Sequence, residues 1–165
     1  MMDIMSAAQR SKLMSRIPSK NTQPELALRR LLHASGYRFR LHGALPTKML
    51  ATLKQEHQKI HIRGGRLPGS PDLVFSARHK VIFMNGCFWH GHDCLVGRHR
   101  PSSNTEYWSP KLDSNIVRDQ RIRQELTILG WESLTIWECQ LKSLDDVLCR
   151  AKKFLGPPRV SQYVK

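Results

Sequence analysis

The sequence predicts an α/β protein in which helices cover both faces of a central mixed sheet. Three observations lead there: a helix with clear start and stop signals near the N-terminus, two β-rich runs separated by four residues in the middle, and a strand followed closely by an amphipathic helix toward the C-terminus.

The first helix lies in TQPELALRRLLHASG. Thr22 and Glu25 have capping-box spacing, Leu28, Leu31 and Leu32 recur at helical intervals, and Gly36 closes the run. YRFRLH alternates apolar and polar side chains, as a half-buried strand does. GALPTKMLATLKQEHQKIHIRGGRLP then offers one candidate short helix, MLATLKQEHQKI, and no recognisable chemistry, so it reads as an inserted loop or subdomain. PDLVF and KVIFM, joined by SARH, predict neighbouring antiparallel strands. In TEYWSPKLDSNIVRDQRIRQELTILG, Ile116, Ile122, Leu126 and Leu129 mark one face of a long helix, with Pro110 expected to break an earlier turn from it. WESLTIW predicts a strand and SLDDVLCRAKKFL a last helix, opened by Ser143 and Asp146 in capping-box spacing. Cys149, inside that helix, reads as a buried small hydrophobe.

A chain of 165 residues is long enough for one domain with a substantial core, and a hydrophobic content of 40% argues against disorder throughout. The expected division is a basic arm over 1–21, a domain over 22–156 interrupted by an insertion at about 44–65, and a tail over 157–165. No apolar run approaches the roughly 18 residues of a membrane span, and the N-terminal residues lack the apolar block of a secretory signal, so a soluble intracellular protein is expected. Lys and Arg number 27 against 13 Asp and Glu, a formal net charge of +14. That balance points to a polyanionic partner, nucleic acid first, and no basic amphipathic helix supports a lipid surface instead. Arg10, Lys12, Arg16 and Lys20 in the arm, with no acid among them, suit phosphate contact by a flexible segment.

Chemistry concentrates in NGCFWHGHDC, residues 85–94. Zinc takes thiolate sulfur and imidazole nitrogen in a tetrahedron, and Cys87, His92 and Cys94 are close enough in sequence for one loop to wrap around an ion. Cys139, directly after WESLTIWE, is the best fourth ligand, and a closed four-ligand site is structural. The other reading makes Cys87 and Cys139 core residues and leaves the histidines exposed. A second set comprises Asp72 at the start of a strand, Glu25 on the first helix and Asp119 on the later one. Magnesium binds hard oxygen ligands, phosphodiester hydrolysis needs a group to activate water, and His90 fits that role if it meets Asp72. Taken singly, each acid also reads as a cap or surface charge. Phe88 and Trp89 in the loop, with Tyr107 and Trp108 after the basic loop RHRPSSN, could stack on or wedge between bases, or serve as ordinary core.

NTQPELALRRLL, LPGSPDLVF, VIFMNGCFWHGHDC, TEYW, NIVRD and GWESLTIWEC occur in the order seen in the very short patch repair endonucleases, the Vsr type, which the chain resembles over residues 10–155 apart from the insertion. The resemblance implies a three-layer fold like that of type II restriction endonucleases with a structural zinc site. It implies an enzyme that uses magnesium to nick DNA beside a T:G mismatch left by deamination of 5-methylcytosine. By that likeness Asp72 is the principal magnesium ligand with the Met84 carbonyl beside it, and His90 activates water. Asp119 orients His90, and Glu25 supports the metal-bound water. Cys87, His92, Cys94 and Cys139 hold zinc, and Phe88, Trp89 and Trp108 intercalate next to the mismatch. A monomer in the bacterial cytoplasm, on the nucleoid, with functional links to a cytosine-5 DNA methyltransferase and to mismatch repair proteins, is the implied setting.

Two departures keep other readings open. Asn85 stands where better studied members carry a second active-site histidine, and an amide neither acts as a base nor becomes a charged proton donor. The insertion of some twenty residues just before Asp72 could enlarge the DNA footprint or supply sequence recognition. A Vsr-like restriction endonuclease cutting both strands of an unmodified site as a dimer is the first alternative. A zinc-stabilised DNA-binding protein without catalysis is the second, disfavoured because the carboxylate and the histidine are both present.

Overall fold

Apolar alternation along two adjacent strands decides the layering. The computed structural model describes residues 9, 12, 13, 15, 16, 18, 20–57 and 62–158. Its four strands, β1 (Arg40–Leu41), β2 (Leu73–Phe75), β3 (Lys80–Asn85) and β4 (Glu132–Trp137), lie in sequence order across one sheet. β1 pairs antiparallel with β2 and β2 with β3, whereas β3 and β4 run parallel, so the sheet is mixed as expected. Side chains alternate across a strand, so Leu73 and Phe75 face one side and Val74 the other.

Among the residues described from 20 onward, the α-helices are α1 (Gln23–Ala34), α2 (Thr47–Glu56), α3 (Leu95–Arg98), α4 (Thr105–Ile128) and α5 (Leu144–Leu155). On one face Leu73, Phe75, Ile82 and Ile136 pack against Leu28 and Leu32 of α1 and Val147, Ala151 and Leu155 of α5. On the other, Val74 and Val81 meet Leu53 of α2, Leu126 of α4, Leu129 and Trp131. Strands buried on both faces explain why LVF and VIFM are continuous apolar runs.

Several elements differ from expectation. YRFRLH yields only the two residues of β1, because β2 opposite is three residues long and Tyr37 is committed to the core, donating its hydroxyl to the Gly156 carbonyl at 2.6 Å. α4 runs unbroken through Pro110. A proline there removes one intrahelical bond, but buried Trp108 and Leu112 anchor the helix on either side. Neither Thr22 nor Ser143 caps its helix through its side chain. Thr22 donates its hydroxyl to Glu25 at 3.0 Å, and Glu25 reaches back to the Asn21 amide at 2.9 Å, one residue beyond the capping-box partner. Cys149 is exposed, since the buried stripe of α5 is Val147, Ala151 and Leu155 and position 149 lies off it.

The stretch 44–65 is fastened at both ends. Ala44 and Arg66 form an antiparallel bridge, and the Leu67 amide donates to the Gly43 carbonyl at 2.9 Å. Between them α2 contributes Leu53 to the second core. In the basic arm, expected to be a flexible segment, Lys12, Leu13 and Ser15 are helical, and Arg10 lies outside the described residues. Among the described residues no helix is long and apolar enough to cross a membrane.

Candidate active site and metal centre

β3 and β4 end together, with Asn85 opposite Trp137, so the residues after each strand leave the sheet side by side. Gly86 and Cys87 enter the loop, while Cys139 enters the 3-10 turn Glu138–Lys142. The Cys139 amide donates to Cys87 Sγ at 3.5 Å, and Cys139 Sγ lies 3.4 Å from His92 Nδ1. Cys94 precedes α3 and its sulfur accepts from the Gly97 amide at 3.4 Å. One donor atom from each of Cys87, His92, Cys94 and Cys139 falls within 4.8 Å of every other, a group that could hold a metal ion.

Burial pushes the Cys87 thiol up to about 12, whereas the Gly97 amide, with His92 next, pulls Cys94 down to about 6. An ion engaging both sulfurs would therefore displace a tightly held proton from Cys87. Gly97 is demanded by crowding: a Cβ there would lie 2.0 Å from the His92 carbonyl oxygen. The His92 ring also stacks on Trp137, centroids 4.4 Å apart.

Beside this centre opens a cavity of about 480 Å³ lined by Glu25, Asp72, Met84, Asn85, His90 and Asp119, the whole set expected to act on the phosphodiester. Asp72, just ahead of β2, accepts the Met84 amide on Oδ2 at 2.7 Å. This bond uses the amide of Met84 and so holds Asp72 beside the residue whose carbonyl is expected to join it on magnesium. Burial raises the Asp72 carboxyl to about 6, and nearby Glu25 adds to the rise against the pull of the Met84 amide and Arg29. Glu25, 6% exposed, also accepts from Arg29 at 2.8 Å.

α4 fixes two consecutive loop residues from two positions one turn apart. Asp119 Oδ2 lies 2.5 Å from His90 Nδ1, and Asn115 Nδ2 donates to the Trp89 carbonyl at 3.0 Å. Asn115 is buried and sequence reasoning missed it. Its i, i+4 relation to Asp119 in NIVRD was the available signal.

His42 was missed too. Leu41 pairs with Leu73, so the next residue falls beside Asp72, and Glu25, His42 and Asp72 each place a donor atom within 4.8 Å of the others. Burial first, then the Arg29 charge, lowers the His42 pKa. Lys20, Arg118 and Arg123 share the cavity and supply positive charge where a phosphate would enter.

The aromatics expected at the DNA meet one another. Phe88 lies 5.0 Å from Trp89 and 5.9 Å from Trp108, and Trp89 6.1 Å from Trp108. Trp108 is only 7% exposed and forms the floor, with Phe88 and Trp89 half-buried above it. An adjoining hollow is shared by Trp89, His90, Tyr107, Lys111 and Arg118, so the rings and the histidine open onto one surface.

Known proteins are similar to this chain over most of its length. The family model described as DNA mismatch endonuclease Vsr matches residues 2–64 and 46–96. The type II nicking enzyme V.XorIIP of Xanthomonas oryzae pv. oryzae is 41% identical over 157 residues, 95% of this chain and 99% of its own length. The DNA mismatch endonuclease Vsr of Escherichia coli K12 is 36% identical over 142 residues, 86% of this chain and 77% of its own, and the type II nicking enzyme V.NmeAIP of Neisseria meningitidis is 35% identical over 152 residues, 92% and 91%. Taken with the acid-lined cavity and the basic surface, these likenesses define an endodeoxyribonuclease. The chain belongs to the Vsr family.

Proposed function

We propose that this enzyme uses magnesium to nick one strand of DNA beside a T:G mismatch produced by deamination of 5-methylcytosine. The observation that carries the reading is the shared cavity of Asp72 and the His90–Asp119 pair, with Trp89 next to His90 in an aromatic cluster. Two relatives are nicking enzymes by name and one is a mismatch endonuclease, which supports a single-strand cut at a mismatch.

The residues fit a divalent ion. Two carboxylates face one cavity, and the raised pKa of Asp72 reports charge that lacks compensation there. Asp72 would hold the magnesium with the Met84 carbonyl, and Glu25 would position its water. Magnesium bound there polarises a phosphoryl oxygen and makes a bound water more acidic. His90, hydrogen-bonded through Nδ1 to Asp119, keeps Nε2 to take a proton from the attacking water, and Asp119 steadies the imidazolium that results. Asn115 restrains the loop that carries both His90 and Trp89. Lys20, Arg118 and Arg123 neutralise the phosphates, with the arm residues Arg10, Lys12 and Arg16 tracking the backbone further out. Phe88 and Trp89, supported by Trp108, wedge into the stack where pairing is already weak.

The cysteine–histidine group fits zinc. A tetrahedral site with Zn–S near 2.3 Å and Zn–N near 2.0–2.1 Å puts sulfur and nitrogen ligands about 3.6 Å apart, close to the 3.4 Å between Cys139 Sγ and His92 Nδ1. Four protein ligands leave no open position, so zinc there is structural. We further read the three layers as restriction-endonuclease-like, 22–156 as one catalytic domain with 44–65 inserted, and the enzyme as a monomer acting on the nucleoid after a cytosine-5 methyltransferase and alongside mismatch repair proteins.

With magnesium and two duplexes, one carrying a T:G mismatch and one fully paired, the expected product is a single nick in the mismatched duplex alone. Double-strand breaks in paired DNA would establish the restriction reading in its place. His90→Ala should slow nicking roughly 10²–10⁴-fold, the usual contribution of a positioned acid–base group. Asn85→His should be at least as active as the parent in the same assay, and an inactive Asn85→His would remove position 85 from the chemistry as described.

A further inference from the structure

We propose that His42 is a direct nitrogen ligand of the catalytic cation, completing a mixed site with Asp72 and Glu25, and that this donor set moves the metal preference from magnesium toward manganese. The inference rests on the assignment of Asp72 as the ion's principal ligand and extends it to a residue outside the sequence-predicted set.

Three observations converge. First, donor atoms of Glu25, His42 and Asp72 all lie within 4.8 Å of one another in the cavity that also holds His90. Second, the backbone around His42 is fixed on every side. Its amide donates to the Asp72 carbonyl at 3.3 Å, its carbonyl accepts Arg66 Nη1 at 2.5 Å, and the next amide, of Gly43, donates to Pro71 at 2.7 Å. His42 is thereby held at φ +52°, a left-handed conformation that L-residues adopt at a cost and that persists where the surroundings over-determine it. The imidazole is thus preorganised beside Asp72.

Third, Glu25 has capacity left on one oxygen. Oε2 already accepts from the Asn21 amide and Arg29, whereas Oε1 receives the Thr22 hydroxyl. A carboxylate oxygen accepts about two such bonds, so Oε1 can also face an ion or its water.

A site of two carboxylates and a neutral imidazole balances a divalent cation in charge and offers a nitrogen. Magnesium demands oxygen ligands and sheds water reluctantly. Manganese binds carboxylates in the same octahedral habit as magnesium, and as a first-row ion it tolerates a single imidazole among oxygen ligands better than magnesium does, so it is the replacement that changes the geometry least.

The test uses the full chain in its zinc-loaded form, titrated with manganese or magnesium, and pulsed EPR of the bound manganese. The parent should show nitrogen coupling to the ion. His42→Asn, chosen because asparagine tolerates the left-handed backbone, should lose that coupling and weaken manganese binding by roughly tenfold or more while changing magnesium affinity less than about threefold. His42→Gln serves as a second variant, and thermal melts without added manganese show that each is folded. Coupling that is absent in the parent, or that survives in both variants, overturns the proposal. Asp72→Asn separates the two levels. Retained manganese binding in that variant would sink the underlying site assignment, whereas lost binding together with unchanged His42 variants would sink only the role of His42.

Discussion

Asp72→Asn should abolish strand scission and, in the magnesium-free protein at pH 8, raise the melting temperature by roughly 6–12 °C. The activity arm follows from the proposed role of Asp72 as the ion's main ligand, whose loss would cost several kcal/mol of transition-state stabilisation, or at least roughly 10³-fold in rate. The stability arm follows from the raised pKa. Asp72 holds its proton more tightly in the folded chain, to about 6, than at its ordinary value of 3.8, so its ionisation weakens the fold. The cost is full above about pH 6, of order 3 kcal/mol, and is gone below about 3.8. Asparagine keeps an oxygen for the Met84 amide and carries no charge. The gain in melting temperature should therefore fade as the pH falls from about 6 toward 4. Parallel melts of the two proteins across that range check it, with gel-shift binding to mismatched DNA retained by the variant. A destabilised Asp72→Asn at pH 8 would contradict the electrostatic account. Nicking by the parent at low magnesium should decline through about pH 6, and excess magnesium should move the midpoint lower because proton and ion compete for one carboxylate.

Cys87→Ser should release metal from the cysteine–histidine group and slow nicking by roughly 10²-fold, the scale of an ångström's misplacement of a catalytic group. Cys87 is 2% exposed and lies three residues before His90. It also ties the end of β3 to the turn after β4 through the Cys139 amide. The sheet core of Leu73, Ile82 and Ile136 does not include the loop. Amide exchange should accordingly quicken over 86–98 and stay unchanged over β2 and β3, read by hydrogen exchange with mass spectrometry. Metal analysis of the purified variant gives the second readout. Uniform acceleration across the sheet would mean that the group supports the whole fold rather than the loop.

The strand pair β2–β3, the long helix, β4 and the last helix were legible because each is long or strongly patterned, and burial on both faces made the central strands continuous apolar runs. The layout of helices over both sheet faces followed from that pattern. β1 was overextended because alternation in YRFRLH does not reveal that Tyr37 leaves the ladder to bond with Gly156, 119 residues away in sequence. Pro110 misled because a local rule ignores the anchoring of a helix by distant contacts. The ligand cluster was readable from the density of cysteine and histidine in one loop plus a cysteine after a strand. His42 and Asn115 were not readable singly: one acquires its neighbours from strand register, the other from the docking of α4 against the loop. Exposure of Cys149 followed from helix phase, which a correct placement of Val147, Ala151 and Leu155 on one stripe would have supplied.

Three of the chain's four cysteines stand in the cluster and the fourth, Cys149, lies open to solvent on α5. Covalent thiol tagging under native conditions thereby becomes a gauge of occupancy. If the cluster holds an ion as proposed, a loaded molecule should accept a single maleimide, at Cys149, and further adducts should mark molecules whose cluster is empty. The same position offers a place for a fluorophore on α5, outside the aromatic cluster, through which DNA binding can be followed in real time.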